Sequence, residues 1–302
     1  MYDLIGDIHG YGLKLEALLK KLNYEKINGV YKHPDRKVFF LGDYIDRGPE
    51  IPLTLSIVRS MVESGNALAI MGNHELNALA FETEVDGKAL RPHTSSNQNQ
   101  YSATLNQFES DRASLDSYLN WFYTLPLFYE SEFFRAIHAC WDQEIIKELT
   151  NTLVDNKLNE SLLINAFDPG HNLFQLIETS LKGKEVDLPS GIDFRDNYGK
   201  KRNRIRIKWW LDPENKTLKD LALPYLDSIP DQVLHLNKKQ VGNIYSEDQK
   251  PVFFGHYWLK GKPIIQAPNV CCLDYSVAKS GYLTCYRYDD EKVLDPSKLV
   301  FV

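Results

Sequence analysis

Five short apolar runs, at 2–5, 37–41, 67–71, 134–137 and 251–254, each lead straight into a cluster of polar residues. Runs of this length bounded by turn residues read as buried strands. After the first come Leu15, Leu18, Leu19 and Leu22, and after the second Leu55, Val58 and Val62, both at helical spacing with one apolar face. The alternation of strand, loop and helix predicts βαβ units and a largely parallel sheet. Ligands on such sheets collect at the carboxyl ends of the strands, where the polar clusters sit.

The middle of the chain follows a different pattern. Helices are expected around 101–123, 143–149 and 170–181, separated by polar linkers such as 94–100, as insertions at about 81–125 and 142–250 that could cap the core. Beyond 254, the β-rich runs at 263–265, 270–273, 282–288 and 299–302 suggest an antiparallel meander forming a second sheet. The expected organisation is one α/β domain, 1–302, with helical insertions.

Composition narrows the class of protein. With 302 residues, 43% hydrophobic and 12% aromatic, the chain can bury a large core. Thirty-five basic against 41 acidic residues give a net charge of −6, which argues against non-specific coating of nucleic acid. No apolar stretch reaches roughly eighteen residues and the first residues lack signal-peptide character, so a cytoplasmic location without a membrane partner is expected. Cys140, Cys271, Cys272 and Cys285 form no CxxC pair and read as reduced, buried thiols.

The polar clusters carry the chemistry. Asp7 and His9, two apart between glycines in GDIHG, can point at one place, and such mixed donors suit transition metals better than calcium. GDYIDRGP adds Asp43, Asp46 and Arg47 after a buried strand. A carboxylate has two oxygens and can bridge cations about 3.5–4 Å apart, a role that falls to Asp43. GNHE supplies Asn73, a neutral oxygen donor, and His74, which beside a leaving oxygen could act as general acid, with Asp46 on its other nitrogen fixing the tautomer. His138 in AIHAC and His256 in FGHYW each close an apolar strand. The expected sets are Asp7, His9 and Asp43 on one ion, and Asp43, Asn73, His138 and His256 on the other. The cofactor is two divalent ions, manganese first, with iron, zinc, nickel or cobalt as alternatives.

The ordered set GDIHG, GDYIDRGP, GNHE, a single His and GH resembles the metallophosphoesterase superfamily. GHYW in place of GHxH, together with Asp46-Arg47-Gly48, is similar to its phosphoprotein phosphatase branch, which includes Ser/Thr protein phosphatases and bacterial diadenosine tetraphosphatases. The stretches HPDRKVFFLGD and MVESGNAL also resemble the phosphatase module of bacterial polynucleotide kinase-phosphatases. The resemblance implies a four-layer αββα sandwich of two mixed sheets with a dinuclear metal site at the strand ends. It implies that Arg47 holds phosphate oxygens, with Asn73 beside it, and that a second arginine arrives between the last two histidines. Arg195, Arg204 and Arg206 are the candidates. Arg202, Arg204, Arg206 and Lys208 alternate, so on a strand they share one face, with Ile205, Ile207 and Trp209 on the other.

The expected reaction is hydrolysis of a phosphate monoester, of a phosphoprotein or a small molecule, by a metal-bridging hydroxide with His74 as acid. The alternative is a hydrolase of dinucleoside polyphosphates such as diadenosine tetraphosphate, or of nucleic-acid terminal phosphates. His33, His93 and His235 have no ligand pattern around them, and His171 in DPGH reads equally as a cap region or a contact. Trp141, Trp209 and Trp258 are candidate pocket walls.

Overall fold

The computed structural model describes residues 1–188, 193–195, 201–214, 216–223 and 244–302. His235 and much of the end of the expected 142–250 insertion lie outside the described residues. In chain order the elements that place the site begin with β1 (Tyr2–Ile5), α1 (Gly12–Lys21), β2 (Lys37–Phe40), α2 (Ile51–Glu63), β3 (Ala67–Ala69) and α3 (Asn73–Glu82). There follow α4 (Ser95–Gln107), α5 (Arg112–Phe122), β4 (Phe128–Glu130), β5 (Arg135–Ile137), α6 (Gln143–Thr152), α7 (Glu160–Ala166) and α8 (Asn172–Lys182). The last part holds β6 (Glu185–Asp187), β7 (Arg204–Ile207), β8 (Ala222–Leu223), β9 (Val252–Phe254), β10 (Val270–Cys272), β11 (Asp274–Tyr275), β12 (Tyr282–Tyr288) and β13 (Leu299–Phe301).

β1, β2 and β3 pair in parallel, and β12 extends them antiparallel from the other edge of β1, carrying β11 and β13 in turn. A second sheet runs β10-β9-β5-β4, parallel except for the β4–β5 pair. The period of two along the strands sorts their side chains into layers. Leu4, Phe39, Phe253, Tyr286 and Tyr288 enter one apolar cluster between the sheets, whereas Ile5, Val38, Phe40, Val252 and Phe254 turn to the helix-covered outer faces. α1 and α2 cover the first sheet through Leu15, Leu18, Leu55 and Met61, and the result is helix, sheet, sheet, helix.

Two expectations need correction. The β-rich tail is not a separate meander: β10 lies parallel to β9, β12 and β13 complete the first sheet, and 263–265 forms no strand. Hydrophobic patterning reports which side chains are buried, not which strand is the neighbour or in which direction it runs. The supposed linker 94–100 is the start of α4, where the Thr94 side chain accepts from the Asn97 N–H. The helix expected at 170–181 is α8, and the His171 side chain is its cap, accepting from Leu173 N–H at 3.1 Å. The four cysteines are buried and free. Among the described residues no helix is long and apolar enough to cross a membrane.

Phe134 stands at the centre of the inter-sheet layer, with its ring edge-on to Phe39 at 5.6 Å, Phe253 at 6.0 Å and Tyr288 at 5.4 Å. Phe134→Ala should lower unfolding free energy in urea by about 3–5 kcal/mol. A loss under about 1 kcal/mol would mean that the two sheets are not held through this layer.

Candidate metal centre

Asp7, Asp43, His138 and His256 each follow the carboxyl end of a parallel strand, β1, β2, β5 and β9, and Asn73 opens α3 after β3. The two sheets therefore aim their loops at one place. His138 Nε2 lies 3.3 Å from Asp43 Oδ1 and 3.1 Å from Asn73 Oδ1, and His256 Nδ1 lies 2.6 Å from Asn73 Oδ1. On the other oxygen of Asp43, Oδ2, His9 Nε2 stands at 3.6 Å and His74 Nε2 at 3.8 Å. Asp7 Oδ2 is 4.0 Å from His9 Nε2, and the Asp7 carboxylate accepts the His256 N–H at 3.1 and 3.2 Å. His9 Nδ1 and His138 Nδ1 face the carbonyls of Ile45 and Leu41, at 3.1 and 2.8 Å, which orients both Nε2 atoms toward the carboxylates.

Every one of these side chains is buried. Burial raises the Asp7 pKa well above its ordinary value, with Asp274 and Asp43 adding to the effect. For Asp43 burial acts the same way, but the surrounding histidines, His138 first, outweigh it and hold the carboxyl well below the usual range. At His138 burial is outweighed by Asp43, and the imidazole is pushed up to about 10. Burial lowers both His9 and His256, helped by Arg47 and Arg206 respectively.

The donors fit cations. His9 Nε2 and His256 Nε2 are buried with no hydrogen-bond partner, which is costly for a polar atom unless something else occupies its lone pair. Two groups of donors lie within 4.8 Å of one another, His9 with Asp43 and His74, and Asp43 with His138 and His256, and Asp43 belongs to both. The backbone makes room for them. A Cβ on Gly255 would stand 1.9 Å from Asp7 Oδ1, and one on Gly72 2.3 Å from Asp43 Oδ1. His9, Asp43, Asp46, Arg47, His256 and Trp258 all take positive φ, a conformation costing about 1–3 kcal/mol that concentrates at functional sites.

His74 is the second residue of α3, and its N–H reaches Asp43 Oδ1 at 3.0 Å, so the helix N-terminus faces the shared carboxylate. Its Nδ1 lies 2.5 Å from Asp46 Oδ2, and Asp46 Oδ1 accepts from Thr104 Oγ1 at 2.5 Å. That leaves Nε2 beside Arg47, whose Nη2 is 3.4 Å away and whose guanidinium stacks 4.7 Å over the Trp258 ring. All of this opens on a cavity of about 830 Å³ lined by Arg47, Asn73, His74, Arg91, Arg206 and Trp258 among others. Of the alternating cations, Arg206 reaches this cavity, while Arg204 is exposed beside Asp187, with its Nε 3.2 Å from an Asp187 oxygen. Arg195 lies on the short strand Phe194–Arg195, and its side chain is outside the described residues. Ile205, Ile207 and Trp209 are buried, as the alternation predicts. Trp141 and Trp209 belong to the core, as do the ring stacking of His93 on Phe81 and the turn capped by His33 to their local structure.

Several residues of the site went unread in the sequence. Glu75 is buried and accepts from the N–H groups of Asp43, Tyr44 and Gly72, at 2.9, 2.7 and 3.0 Å, which pins the Asp43 loop to the start of α3. Burial, with Asp43 adding to it, pushes this carboxyl up to about 7. Its position three residues after Gly72 is a capping-box spacing, the one signal that could have found it. Asp274 accepts from Trp258 N–H at 2.7 Å and so fixes the loop that follows His256. Thr104, Gln100 and Arg91 arrive from the insertion after α3, with no local motif.

Fold and centre together place the chain among the metallophosphoesterases. Residues 2–256 match the calcineurin-like phosphoesterase family, and the chain belongs to it. It is 48% identical over 73 residues to the asymmetrical bis(5'-nucleosyl)-tetraphosphatase PrpE of Geobacillus sp. (strain WCH70), a match covering 24% of this chain and 30% of that protein. It is 32% identical over 168 residues to the symmetrical bis(5'-nucleosyl)-tetraphosphatase of Marinomonas sp. (strain MWYL1), covering 52% and 53% of the two chains. The chain thus spans 30% and 53% of the length of these two relatives. Among solved structures it is similar to a putative diadenosine tetraphosphatase at TM-score 0.47, with 14% identity over 100% of this chain and 92% of that one. A protein serine/threonine phosphatase from Saccharomyces cerevisiae matches at TM-score 0.48, with 13% identity over 100% and 78%.

Gly255→Ala should displace Asp7 and reduce bound metal, read by elemental analysis of the purified protein, while the circular dichroism spectrum stays native. Unchanged metal content would remove Asp7 from the ligand set. Metal uptake should also depend on pH in a defined direction. His138 is held protonated up to about 10, and only its neutral form ligates. Apparent affinity should therefore rise as pH rises toward that value, with proton release on binding at neutral pH, measurable by calorimetry in buffers of different ionisation enthalpy.

Proposed function

We propose that the chain hydrolyses phosphoryl bonds with two divalent cations held by Asp7, His9, Asp43, Asn73, His138 and His256, manganese being the first choice. The observation that carries this reading is the arrangement around His74: Nδ1 committed to Asp46 at 2.5 Å, and Nε2 beside both Arg47 at 3.4 Å and the shared carboxylate Asp43 at 3.8 Å. An acid, a phosphate-binding cation and a bridging ligand then meet at one wall of one cavity. Two bound divalent cations supply charge against the developing negative charge and a water of lowered pKa. The chain supplies the rest. Arg47, steadied on Trp258, binds the phosphoryl oxygens, Asn73 lies beside them, and His74 gives the Nε2 proton to the leaving oxygen. Asp46 and Thr104 hold the imidazole in the orientation this requires. Arg206, at the cavity wall near His256, is the second phosphate clamp in place of Arg204.

Two substrate classes suit this chemistry. Phosphate monoesters, of a phosphoprotein or a small molecule, are one. Dinucleoside polyphosphates are the other, favoured by the names of the two tetraphosphatases that the chain resembles. A metal-loaded panel of an aryl phosphate, phosphoserine and phosphotyrosine peptides, diadenosine tetraphosphate and nucleoside monophosphates separates them.

His74→Asn and Asp43→Asn should each lower turnover on the best substrate, by about 10²–10⁴-fold for the loss of the acid. Near-normal rates in both variants would sink the mechanism. Chelation should abolish activity, and readdition of manganese should restore it.

A further inference from the structure

Arg91 belongs to no motif, yet it lies at the wall of the catalytic cavity. It sits between the hairpin strand Lys88–Ala89 and α4, where its N–H is bound to Ala80 O at 2.8 Å. Its guanidinium donates to Gln100 Oε1 at 2.6 Å, and Gln100 Nε2 in turn lies 3.4 Å from both ring nitrogens of His74. One side chain therefore separates Arg91 from the proposed general acid. The nearby acidic groups are already engaged, Asp46 by His74 and Thr104, and Glu178 by Lys182. The described lining holds no carboxylate, and of its four cations Lys182 is paired with Glu178 and Arg206 lies 3.9 Å from Glu185, so among the described residues Arg47 and Arg91 are the two without an ion-pair partner.

A monoester needs at most one such cation beside the metals. Two divalent ions offset by Asp7 and Asp43 would carry a net charge of about +2, which balances the about −1.5 to −2 of a phosphoryl group at neutral pH, and Arg47 adds one more positive charge, so Arg91 is in excess of what the monoester requires. A cation linked through Gln100 to the acid is on the side toward which a group protonated by His74 would depart. A serine or tyrosine leaving group is an alcohol and has no charge for it to bind, whereas the leaving group of an anhydride is itself a phosphate. The cavity volume of about 830 Å³ is of the size that encloses a small ligand, and Phe167 on its wall offers aromatic surface to a base, the Trp258 ring being taken by Arg47 and Lys279.

We propose that Arg91, positioned by Gln100, forms a second anion subsite for the leaving phosphate, so that the substrate is a phosphoanhydride, a nucleoside polyphosphate chain. This rests on the phosphoryl-hydrolysis reading above. In the step it implies, a water oxygen bonds to the attacked phosphorus and the bond from that phosphorus to the bridging oxygen breaks. The electron pair stays on the bridging oxygen, which takes a proton from His74. The water's surplus proton passes to solvent, and solvent reprotonates His74.

The test compares wild type with Arg91→Gln and Arg91→Lys, all manganese-loaded and checked for native melting. The readouts are kcat/KM on diadenosine tetraphosphate and on 4-nitrophenyl phosphate. Arg91→Gln should lose roughly ten- to a hundredfold more on the anhydride than on the aryl ester, the size of one charged hydrogen bond, and Arg91→Lys should recover part of it. Equal losses on both substrates would overturn the subsite. Binding separates this proposal from the reaction itself. By calorimetry, adenosine 5'-(β,γ-imido)triphosphate should bind the wild type at least about tenfold tighter than AMP, and Arg91→Gln should abolish most of that preference. If that preference holds while neither ester nor anhydride is turned over, the reaction reading fails and the subsite stands. If the two nucleotides bind wild type equally, the subsite is wrong whatever the turnover.

Discussion

The centre depends on one buried carboxylate. Asp43 offers Oδ1 to His138 and to the N–H of His74, and Oδ2 to His9 and the His74 ring. A carboxylate with no bulk water around it can stay ionised only if the groups facing it repay its lost hydration. Here three imidazoles and a helix N-terminus do so. The residues around Asp43 follow from that requirement: Gly72 because a side chain would strike the carboxylate, and Glu75 because the loop needs an acceptor for its N–H groups.

The two sheets explain why so many separate segments can meet at that point. β1 and β2 deliver Asp7 and Asp43 from one sheet, and β5 and β9 deliver His138 and His256 from the other. The aromatic layer around Phe134 fixes how the sheets face each other, and with them the distance between the donors. The insertion after α3 closes a third side, where Thr104 holds Asp46 and Gln100 approaches His74. Packing far from the centre thus sets the geometry of His74, Arg47 and the donor side chains.

The strands, their polar ends and the meeting of Asp7, Asp43, Asn73, His138 and His256 at one place were legible in the sequence, because each of these residues follows an apolar run by a residue or two and the fold brings strand ends together. Sheet partnership was not. Val270–Cys272 and Tyr282–Tyr288 look alike as hydrophobic runs, yet one joins β9 in parallel and the other joins β1 antiparallel. The cations were half legible. The alternation marked Arg204 and Arg206 on one strand, while Arg202 belongs to a separate short strand and Lys208 to none, and only tertiary packing distinguishes Arg206, at the cavity, from Arg204, beside Asp187. Thr104 fell within the expected helix 101–123 and Arg91 just before the expected linker 94–100, and neither belongs to a motif: Thr104 matters through Asp46, 58 positions away, and Arg91 through a cavity no local pattern describes.

Asp43, in the function proposed above, would join two metal positions into one centre. Electron paramagnetic resonance of the protein loaded with two manganese ions per chain tests it most directly. A carboxylate-bridged pair predicts a broad, exchange-coupled multiline spectrum that Asp43→Asn converts to isolated ions. A wild-type spectrum made only of independent six-line manganese signals at full loading would contradict it.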